Sequence, residues 1–239
     1  MKITLETMIV VGMHLGHSTH YWHPKISIYT YGVRRDIYLI DLVKTSQQLK
    51  QAQKLLTKVR RDGKSVLFIG TRRQAVESIK SRALYTQSFF IRRRWLGGIF
   101  TNWSTIKISL QHLYRFHYKK KESIFFLNRL NRFIVGLKSI QILPGIVIIV
   151  GQFTELTAIQ ECRKLGIPII CRLDTDCNPR LVEIGIPIND DSTTSICLFL
   201  ETLIPRIKKG HHWWMSKKTK EKLKLNYIVN ENNNRIFRN

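Results

Sequence analysis

The fold of this chain is decided by the stretch Ser65–Gly70, which reads SVLFIG. A short, continuous apolar run between turn-forming residues is typical of a parallel strand that is buried on both faces. Before this run, apolar residues recur at helical spacing over Asp41–Arg61, with lysines and glutamines on the other side, which predicts an amphipathic helix. A second helix is predicted after it, over Arg72–Leu84. We therefore expect a buried strand between two helices.

The alternation of strands and helices continues toward the C-terminus. Further strands are predicted over Phe89–Ile91, Ile146–Val150 and Pro168–Leu173. Further helices are predicted from Thr105, over Thr154–Leu165 and over Asp191–Ile204. Such alternation is typical of an α/β fold, in which a mainly parallel sheet carries helices on both faces.

The N-terminal region has a different pattern. A short capped helix is predicted over Thr4–Val11, followed by a loop rich in histidine and aromatic residues. Two short strands are predicted over Ile26–Tyr31 and Ile37–Ile40. Because Gly32–Asp36 combines a glycine with charged residues, it suits the turn between them. The pattern therefore predicts a β-hairpin with a basic tip.

The domain organisation follows from composition. Residues 1–104 and 143–205 are predicted to form the α/β domain. Residues 105–142 are predicted to form a protruding helical hairpin, since Lys107–Lys138 carries eight Lys/Arg and one Glu, interleaved with Leu and Phe. Residues 206–239 hold ten Lys/Arg and two Glu, and we expect a basic C-terminal extension, extended or helical, that orders on a partner.

The charge of the chain limits the kinds of partner it can have. Lys and Arg number 40 against 16 Asp and Glu, which gives a formal net charge of +24 and a pI near 10.3. A charge of this size indicates nucleic acid or an anionic membrane surface as the partner. No purely apolar run is longer than Ile146–Val150, which is far shorter than the ~20 residues of a membrane span, and no signal segment opens the chain. We therefore expect a soluble protein that binds nucleic acid.

The stretch Arg92–Trp103, RRRWLGGIFTNW, is the strongest candidate for that contact and is called the arginine loop below. Its guanidinium groups suit phosphate oxygens, its indoles offer stacking faces, and Gly97-Gly98 allows close approach of the backbone. The interpretation is that Arg92, Arg93 and Arg94 clamp RNA phosphates, and that Asn102 lies within the contact. Trp95 and Trp103 either stack on bases or brace the loop from the core side. The alternative is a solvated charge cluster beside two ordinary core tryptophans.

Secondary phosphate contacts are predicted at other basic positions of the chain. These are Lys25, Arg34 and Arg35 near the hairpin, and Arg72 and Arg73 at a helix start. Thr71 precedes that helix, where the helix dipole and the two arginines could hold a phosphate.

Motifs for catalysis or cofactor binding are absent from the sequence. The residues after Gly70 do not form G-x-G-x-x-G, and no P-loop motif occurs, so no cofactor and no catalytic residue is predicted. Asp174, Asp176, Asp190 and Asp191 are interpreted as helix caps and turn residues. No C-x-x-C pair occurs among Cys162, Cys171, Cys177 and Cys197, which predicts no zinc knuckle, no disulfide framework and a reducing compartment.

Four histidines recur every third residue in the N-terminal region. On a continuous helix this spacing would suggest a metal site, but Gly12, Gly16 and Pro24 disfavour such a helix. No metal site is therefore predicted at His14, His17, His20 and His23; roles on RNA or in the core are preferred.

A colinear series of motifs resembles the bacterial-type small-subunit ribosomal protein S2 family over about residues 3–210. The motifs are Gly12–His17, Trp22–Lys25, Phe68–Arg72, Arg94–Gly98, Thr101–Trp103, Gly166–Pro168, Asp174-Thr175 and Ile186–Asp191. The resemblance implies a non-enzymatic protein with a flavodoxin-like domain and a protruding helical hairpin. It also implies a position on 16S-type rRNA at the head–body junction of the small subunit, near mRNA and beside other small-subunit proteins. The segment after Gly210 looks like a lineage-specific extension.

The expected function is that of a structural constituent of the small ribosomal subunit that supports translation, without membrane or DNA partners. The alternatives are an RNA-binding regulator outside the ribosome and a nucleotide-dependent α/β enzyme. The sequence around Ile167–Pro179 looks most like that of plastid members, and 31 isoleucines against 4 alanines indicate an AT-rich genome. With the family N-terminus starting almost at Met1, these features predict the plastid (chloroplast) stroma, with a mitochondrion or a bacterial cytoplasm as alternatives.

Overall fold

The computed structural model of the protein describes residues 4–108, 135–137 and 140–236. The predicted helical hairpin at residues 105–142 lies mostly outside the described residues. Its first turn belongs to a helical segment of which residues 103–108 are described.

The secondary structure is that of an α/β protein. The helices are α1 (Leu5–Val10), α2 (Leu42–Arg61), α3 (Arg73–Tyr85), α4 (Leu156–Lys164) and α5 (Thr193–Ile236). The strands are β1 (Leu15–Ser18), β2 (Thr30–Arg34), β3 (Ile37–Ile40), β4 (Val66–Ile69), β5 (Phe89–Ile91), β6 (Ile146–Ile149), β7 (Ile169–Leu173) and β8 (Ile184–Pro187). Short 3₁₀ helices lie at Pro24–Tyr29, Val135–Leu137 and Pro179–Leu181.

Five strands form a parallel sheet in the order β5-β4-β6-β7-β8. β4 is buried at all four positions and pairs with β5 on one side and β6 on the other. The chain therefore moves outward from β4 to β5 and returns past β4 to β6. In sheets of this kind, the crevice at the carboxyl ends of the strands where the order reverses is the usual ligand site.

Alternate residues of each strand pack on opposite sides of the sheet. Val66 and Phe68 of β4 belong to an apolar cluster that includes residues of α2, α3 and α5. Leu67 and Ile69 belong to a second cluster, which includes residues of α4 and of the arginine loop. The predicted α/β fold, with a parallel sheet covered on both faces, is confirmed.

A separate antiparallel sheet has the order β1-β3-β2. The predicted strand over Ile26–Tyr31 is wrong in its position. Pro24 begins a 3₁₀ helix that ends at Tyr29, the ring nitrogen Nδ1 of His23 accepts a hydrogen bond from the Lys25 amide at 3.1 Å, and the strand begins at Thr30. Proline suits the first turn of a helix because its fixed φ matches and it has no amide proton to satisfy.

The turn of this hairpin is shorter than predicted. Gly32 and Arg34 lie in β2, and only two residues connect the strands, Arg35 and Asp36, with φ of +50° and +58°. Positive φ at both central residues is the geometry of a type I′ hairpin turn, which matches the natural twist of the two strands.

Two strands were not predicted from the sequence. β1, in the histidine-rich loop, consists of Leu-Gly-His-Ser, which has little strand propensity and is held by pairing with β3. β8 contains a glycine and a proline. Gly185 is required there because a Cβ would collide with the Leu173 side chain on the neighbouring strand.

The C-terminal helix continues well beyond Ile204, where the sequence predicted its end. α5 runs through Pro205 to Ile236, so the boundary placed at Arg206 lies inside this helix. Pro205 is exposed, whereas Leu203 and Ile207 are completely buried, so the apolar face continues past the proline. At Gly210, α5 packs against Arg60 and the carbonyl of Thr57 in α2.

Candidate nucleic-acid interface

The arginine loop is fastened to α4 by one buried carboxylate. Glu161 Oε1 accepts hydrogen bonds from the indole nitrogen of Trp95 at 3.0 Å and the amide of Gly98 at 2.7 Å. Its Oε2 accepts from the amides of Phe100 at 2.9 Å and Thr101 at 3.3 Å. Glu161 is only 7% exposed, and four donors compensate for the burial of its charge. The backbone of the loop is thus wrapped around an internal anion.

Trp95 braces the loop from the inside. Its side chain is 4% exposed and meets Phe100 edge to face, with ring centroids 4.9 Å apart and planes at 79°. Of the two roles that the sequence left open for this residue, the geometry supports bracing, because no face of the ring is free for a base. Trp103 is partly buried against the same apolar cluster.

The arginines of the loop point to the surface. Arg93 and Arg94 are exposed, and within the described part of the chain neither has a carboxylate within 4.0 Å. Arg92 is half-buried, with its Nη1 atom 3.6 Å from Oε1 of the exposed Glu77. Asn102 is also exposed. As far as the described residues show, the loop therefore offers two guanidinium groups without a carboxylate partner.

The glycine pair gives the loop its shape and an accessible backbone. Gly98 has φ +90°, a backbone conformation that residues other than glycine rarely adopt. Gly97 is exposed, and nothing lies within 4 Å of the position that a Cβ would occupy. The backbone at Gly97 can therefore approach a phosphate or sugar closely.

The predicted secondary contacts separate into two groups. Lys25, Arg34 and Arg35 are exposed, and the 3₁₀ helix carrying Lys25 packs on the same sheet face as the arginine loop, through Ile26 and Trp95 in one apolar cluster. Arg73 is exposed at the start of α3.

Arg72, by contrast, is turned inward. Its Nη1 atom forms an ion pair with Asp190 Oδ2, which is also 3.3 Å from Nη2 of Arg172. The neighbouring amide of Thr71 donates to the buried Glu155 at 3.2 Å. The residues that follow β4, Thr71 and Arg72, are thus bound to acidic side chains inside the protein.

A buried polar cluster at the carboxyl edge of the sheet was not predicted from the sequence. Asp174, just after β7, accepts from the amide of Thr175 at 2.6 Å and the amide of Asp190 at 2.8 Å, and lies 3.1 Å from Nδ1 of His17. A signal was present, because Asp174 and Asp190 each follow a run that ends at the same edge of the parallel sheet. The pairing with His17 depends on β1, which has no clear sequence signature.

The protonation of the cluster is shifted by these contacts. Hydrogen bonding to Asp174 raises the pKa of His17 from 6.5 to about 9, against the opposing effect of partial burial. Burial raises the pKa of Asp190, although Arg172 opposes the shift, and burial lowers the pKa of Arg172. Burial also raises the pKa of Glu155.

Donor atoms of His17, Asp174 and Asp190 lie within 4.8 Å of one another, and within the described ranges no other group of three reaches metal-ligating proximity. An imidazole and two carboxylates suit a divalent cation such as Zn²⁺. A cation would compete with the His17 proton and with Arg72 for the same carboxylates. His14, His20 and His23 are not part of the cluster.

Among the described helices, none combines the length and the apolar character that crossing a bilayer requires.

Comparison with known proteins identifies the family. The model of the family described as ribosomal protein S2 matches residues 8–210. The chain belongs to the ribosomal protein S2 family. It is 40% identical to small ribosomal subunit protein uS2c of Oltmannsiellopsis viridis over 235 residues, which cover 93% of this chain and 99% of that protein. The resemblance predicted from the motifs is thereby confirmed.

Other relatives come from algae and cyanobacteria. The chain is 42% identical to uS2c of Mesostigma viride, over 87% of this chain and 97% of that protein. It is 39% identical to uS2 of Picosynechococcus sp., over 88% of this chain and 87% of that protein. Glu161 and the arginine loop lie within residues 8–210, the range that matches the family model, whereas Trp213 and Trp214 lie beyond it.

Proposed function

We propose that this chain is a structural constituent of the small ribosomal subunit, where it binds 16S-type rRNA through the arginine loop. The observation that supports this most is the loop geometry: among the described residues Arg93 and Arg94 are exposed without acidic partners, while Glu161 holds the backbone of the same loop at Gly98 and Phe100. Exposed guanidinium groups can bind phosphate oxygens bidentately. The names of the relatives, small ribosomal subunit proteins, agree with this role.

The proposed interface is centred on the arginine loop. Arg92, Arg93, Arg94 and Asn102 contact the rRNA from the loop, with Trp95 beneath them and Trp103 at the edge of the core. Lys25, Arg34, Arg35 and Arg73 add exposed cations around it. Arg72 contributes indirectly, because its guanidinium pairs with Asp190.

The carboxyl edge of the sheet favours a scaffold over a nucleotide-dependent enzyme. The crevice where α/β sheets bind nucleotides is occupied by the chain's own ion pairs, Arg72 and Arg172 with Asp190 and His17 with Asp174. Glu155 accepts the amide of Thr71 at the start of α3, so this amide is already engaged before any phosphate arrives.

The finer placement is also proposed. We place the chain at the head–body junction, near mRNA and beside neighbouring small-subunit proteins, with neither a membrane nor DNA as a partner. The uS2c names of several relatives indicate the ribosome of a plastid (chloroplast), although similar cyanobacterial proteins leave a bacterial cytoplasm open. A mitochondrion is the remaining alternative.

The test is co-sedimentation of the full chain with small subunits on sucrose gradients at increasing monovalent salt. We expect about one copy per subunit, and earlier release by salt for the double variant Arg93→Gln/Arg94→Gln. Each lost phosphate contact should reduce the slope of log affinity against log salt by about 0.7–0.9. The matched control is Lys50→Gln/Lys54→Gln, which removes two exposed cations from α2 on the opposite face.

Three outcomes would contradict the proposal. Wild-type chain that sediments free of small subunits at all salt concentrations would favour a regulator outside the ribosome, and saturable binding of a mononucleotide would favour an enzyme. If the loop variant and the control variant dissociate at the same salt concentration, the arginine loop is not the interface.

A further inference from the structure

A groove lies between the end of α2 and the part of α5 that extends beyond the family match. It has a volume of about 480 Å³ and is lined by Lys58, Arg61, Trp213, Trp214, Lys217 and Lys218. Asp62 and Glu221 complete its wall, so four cations face two carboxylates. The groove is therefore both basic and aromatic, and it is formed by helices on the opposite side of the sheet from the arginine loop.

Close packing between the two helices fixes the walls of the groove. The indole nitrogen of Trp214 lies directly over Gly63, where a Cβ would collide with it. Gly63 has φ +75° and ends the turn after α2, so a glycine is required there for conformation as well as space. One turn earlier in α5, Gly210 packs on Arg60. The extension is thereby held against α2 at two glycine contacts.

The aromatic and cationic groups in the groove form pairs. The guanidinium carbon of Arg61 lies 4.3 Å from the centroid of the Trp213 ring, and the Lys217 ammonium lies 6.0 Å from the same ring. The Lys218 ammonium lies 5.2 Å from the Trp214 ring. Trp213 remains 44% exposed. An indole that is both exposed and surrounded by cations can stack on a base while the cations bind the adjoining phosphates.

We propose that this groove is a second RNA-binding site, in which a single-stranded segment of rRNA stacks a base on Trp213 and places phosphates against Arg61 and Lys218. This proposal rests on the ribosomal role proposed above. Single-stranded RNA is favoured over an acidic peptide because a peptide carboxylate would use the cations but would not stack on the exposed part of the Trp213 ring. It is favoured over duplex RNA because a paired base cannot reach the ring.

The experiment measures binding of a short fluorescein-labelled oligouridylate to the full chain by anisotropy, over a range of salt. The double variant Arg61→Gln/Lys218→Gln removes two groove cations. Its control, Lys54→Gln/Lys220→Gln, removes one exposed lysine from each of the same two helices outside the groove. We expect the groove variant alone to reduce the salt slope, by about 1.4 for two single-strand contacts.

The stacking contact is tested with Trp213→Leu, which keeps an apolar side chain without the aromatic face. We expect this variant to bind the oligomer about tenfold more weakly, with circular dichroism and thermal unfolding close to wild type. Trp214 is left unchanged because it packs on Gly63.

The outcomes separate this site from the arginine loop. Equal affinities and salt slopes for the groove variant and its control overturn the proposal, as does a duplex RNA or polyglutamate that competes as well as the oligouridylate. The proposal is also overturned if Arg93→Gln/Arg94→Gln no longer binds the oligomer while the groove variant still binds it. Failure of the wild-type chain to join small subunits would instead refute the ribosomal role, whatever the oligomer shows.

Discussion

Replacing Glu161 by glutamine should loosen the arginine loop without removing any residue from its surface. The carboxylate accepts from Trp95 and Gly98 on one oxygen and from Phe100 and Thr101 on the other. A glutamine has one carbonyl oxygen and one NH₂ group, so in either orientation two of the four donors meet another donor. The two remaining bonds also become neutral.

The magnitude follows from those four contacts. Hydrogen bonds to a charged group contribute about 1.5–3 kcal/mol each, so the loss of two costs roughly 3–6 kcal/mol before relaxation. Gly98 and Thr101 are partly accessible to water, which can recover part of this, and we expect a loss of about 3 kcal/mol in the free energy of unfolding. For a chain of this size, that corresponds to a fall in Tm of about 6–12 °C.

Three measurements test the Glu161→Gln variant. Thermal unfolding gives the stability, hydrogen exchange with mass spectrometry reports protection of the loop amides, and co-sedimentation reports the salt at which the chain leaves small subunits. The control is Glu77→Gln, which removes an exposed carboxylate that pairs with Arg92 at 3.6 Å and should change stability by less than about 0.5 kcal/mol. If the amides of Gly98, Phe100 and Thr101 keep wild-type protection in Glu161→Gln, the carboxylate does not hold the loop.

Two further predictions concern parts of the domain away from the loop. The pKa of His17 is raised in the folded state, so its pairing with Asp174 stabilises the fold fully below pH 6.5, and this stabilisation is lost as pH rises through about 9. We expect denaturant unfolding to show that His17→Gln is less stable than wild type by about 1–2 kcal/mol at pH 6 and close to wild type above pH 9.5. A difference that is the same at both pH values would refute the pairing. Gly63→Ala should lower the free energy of unfolding by about 1–2 kcal/mol and speed proteolysis in the extension after Gly210, because the new Cβ strains a positive φ and displaces Trp214. The control is Gly166→Ala, which is also at positive φ but has open space around it and should leave the proteolysis rate unchanged.

The parts of the fold that sequence predicted are those with a strong local signal. β4 is a continuous apolar run between turn residues, and α2 has helical periodicity and an Asp41 side chain that accepts from the amides of Val43 and Lys44. β1 and β8 lack that signal, because they form strands through their pairing with β3 and β7 and not through their own sequence. The sequence allowed a helical segment after Ile204, but the continuity of α5 through Pro205 was not predicted, because a proline normally ends a helix. Here its exposed position lets the apolar face continue.

The same distinction applies to the candidate site. The cations of the arginine loop can be found in the sequence because they are adjacent and no acidic residue interrupts them. Their anchor cannot be found there, since Glu161 is about sixty residues away and reads as one polar position of an amphipathic helix. The same is true of His17 and Asp174, which are separated by most of the chain and meet only where β1 reaches the carboxyl edge of β7.

The placement of the acidic residues explains how a chain with so large a positive charge folds and still presents cations. Four carboxylates, those of Glu155, Glu161, Asp174 and Asp190, are buried in the described part of the chain, together with the guanidinium groups of Arg60 and Arg172. Because more carboxylates than guanidinium groups are buried among the described residues, the surface of that part of the chain is more positive than its own net charge. Three of them, Glu155, Glu161 and Asp174, accept backbone amides, and Asp190 pairs with two guanidinium groups, so these buried acidic residues hold the interior together. The repulsion that remains between surface cations is what binding to a polyanion would relieve, and stability of the isolated chain should accordingly rise with salt while its affinity for RNA falls.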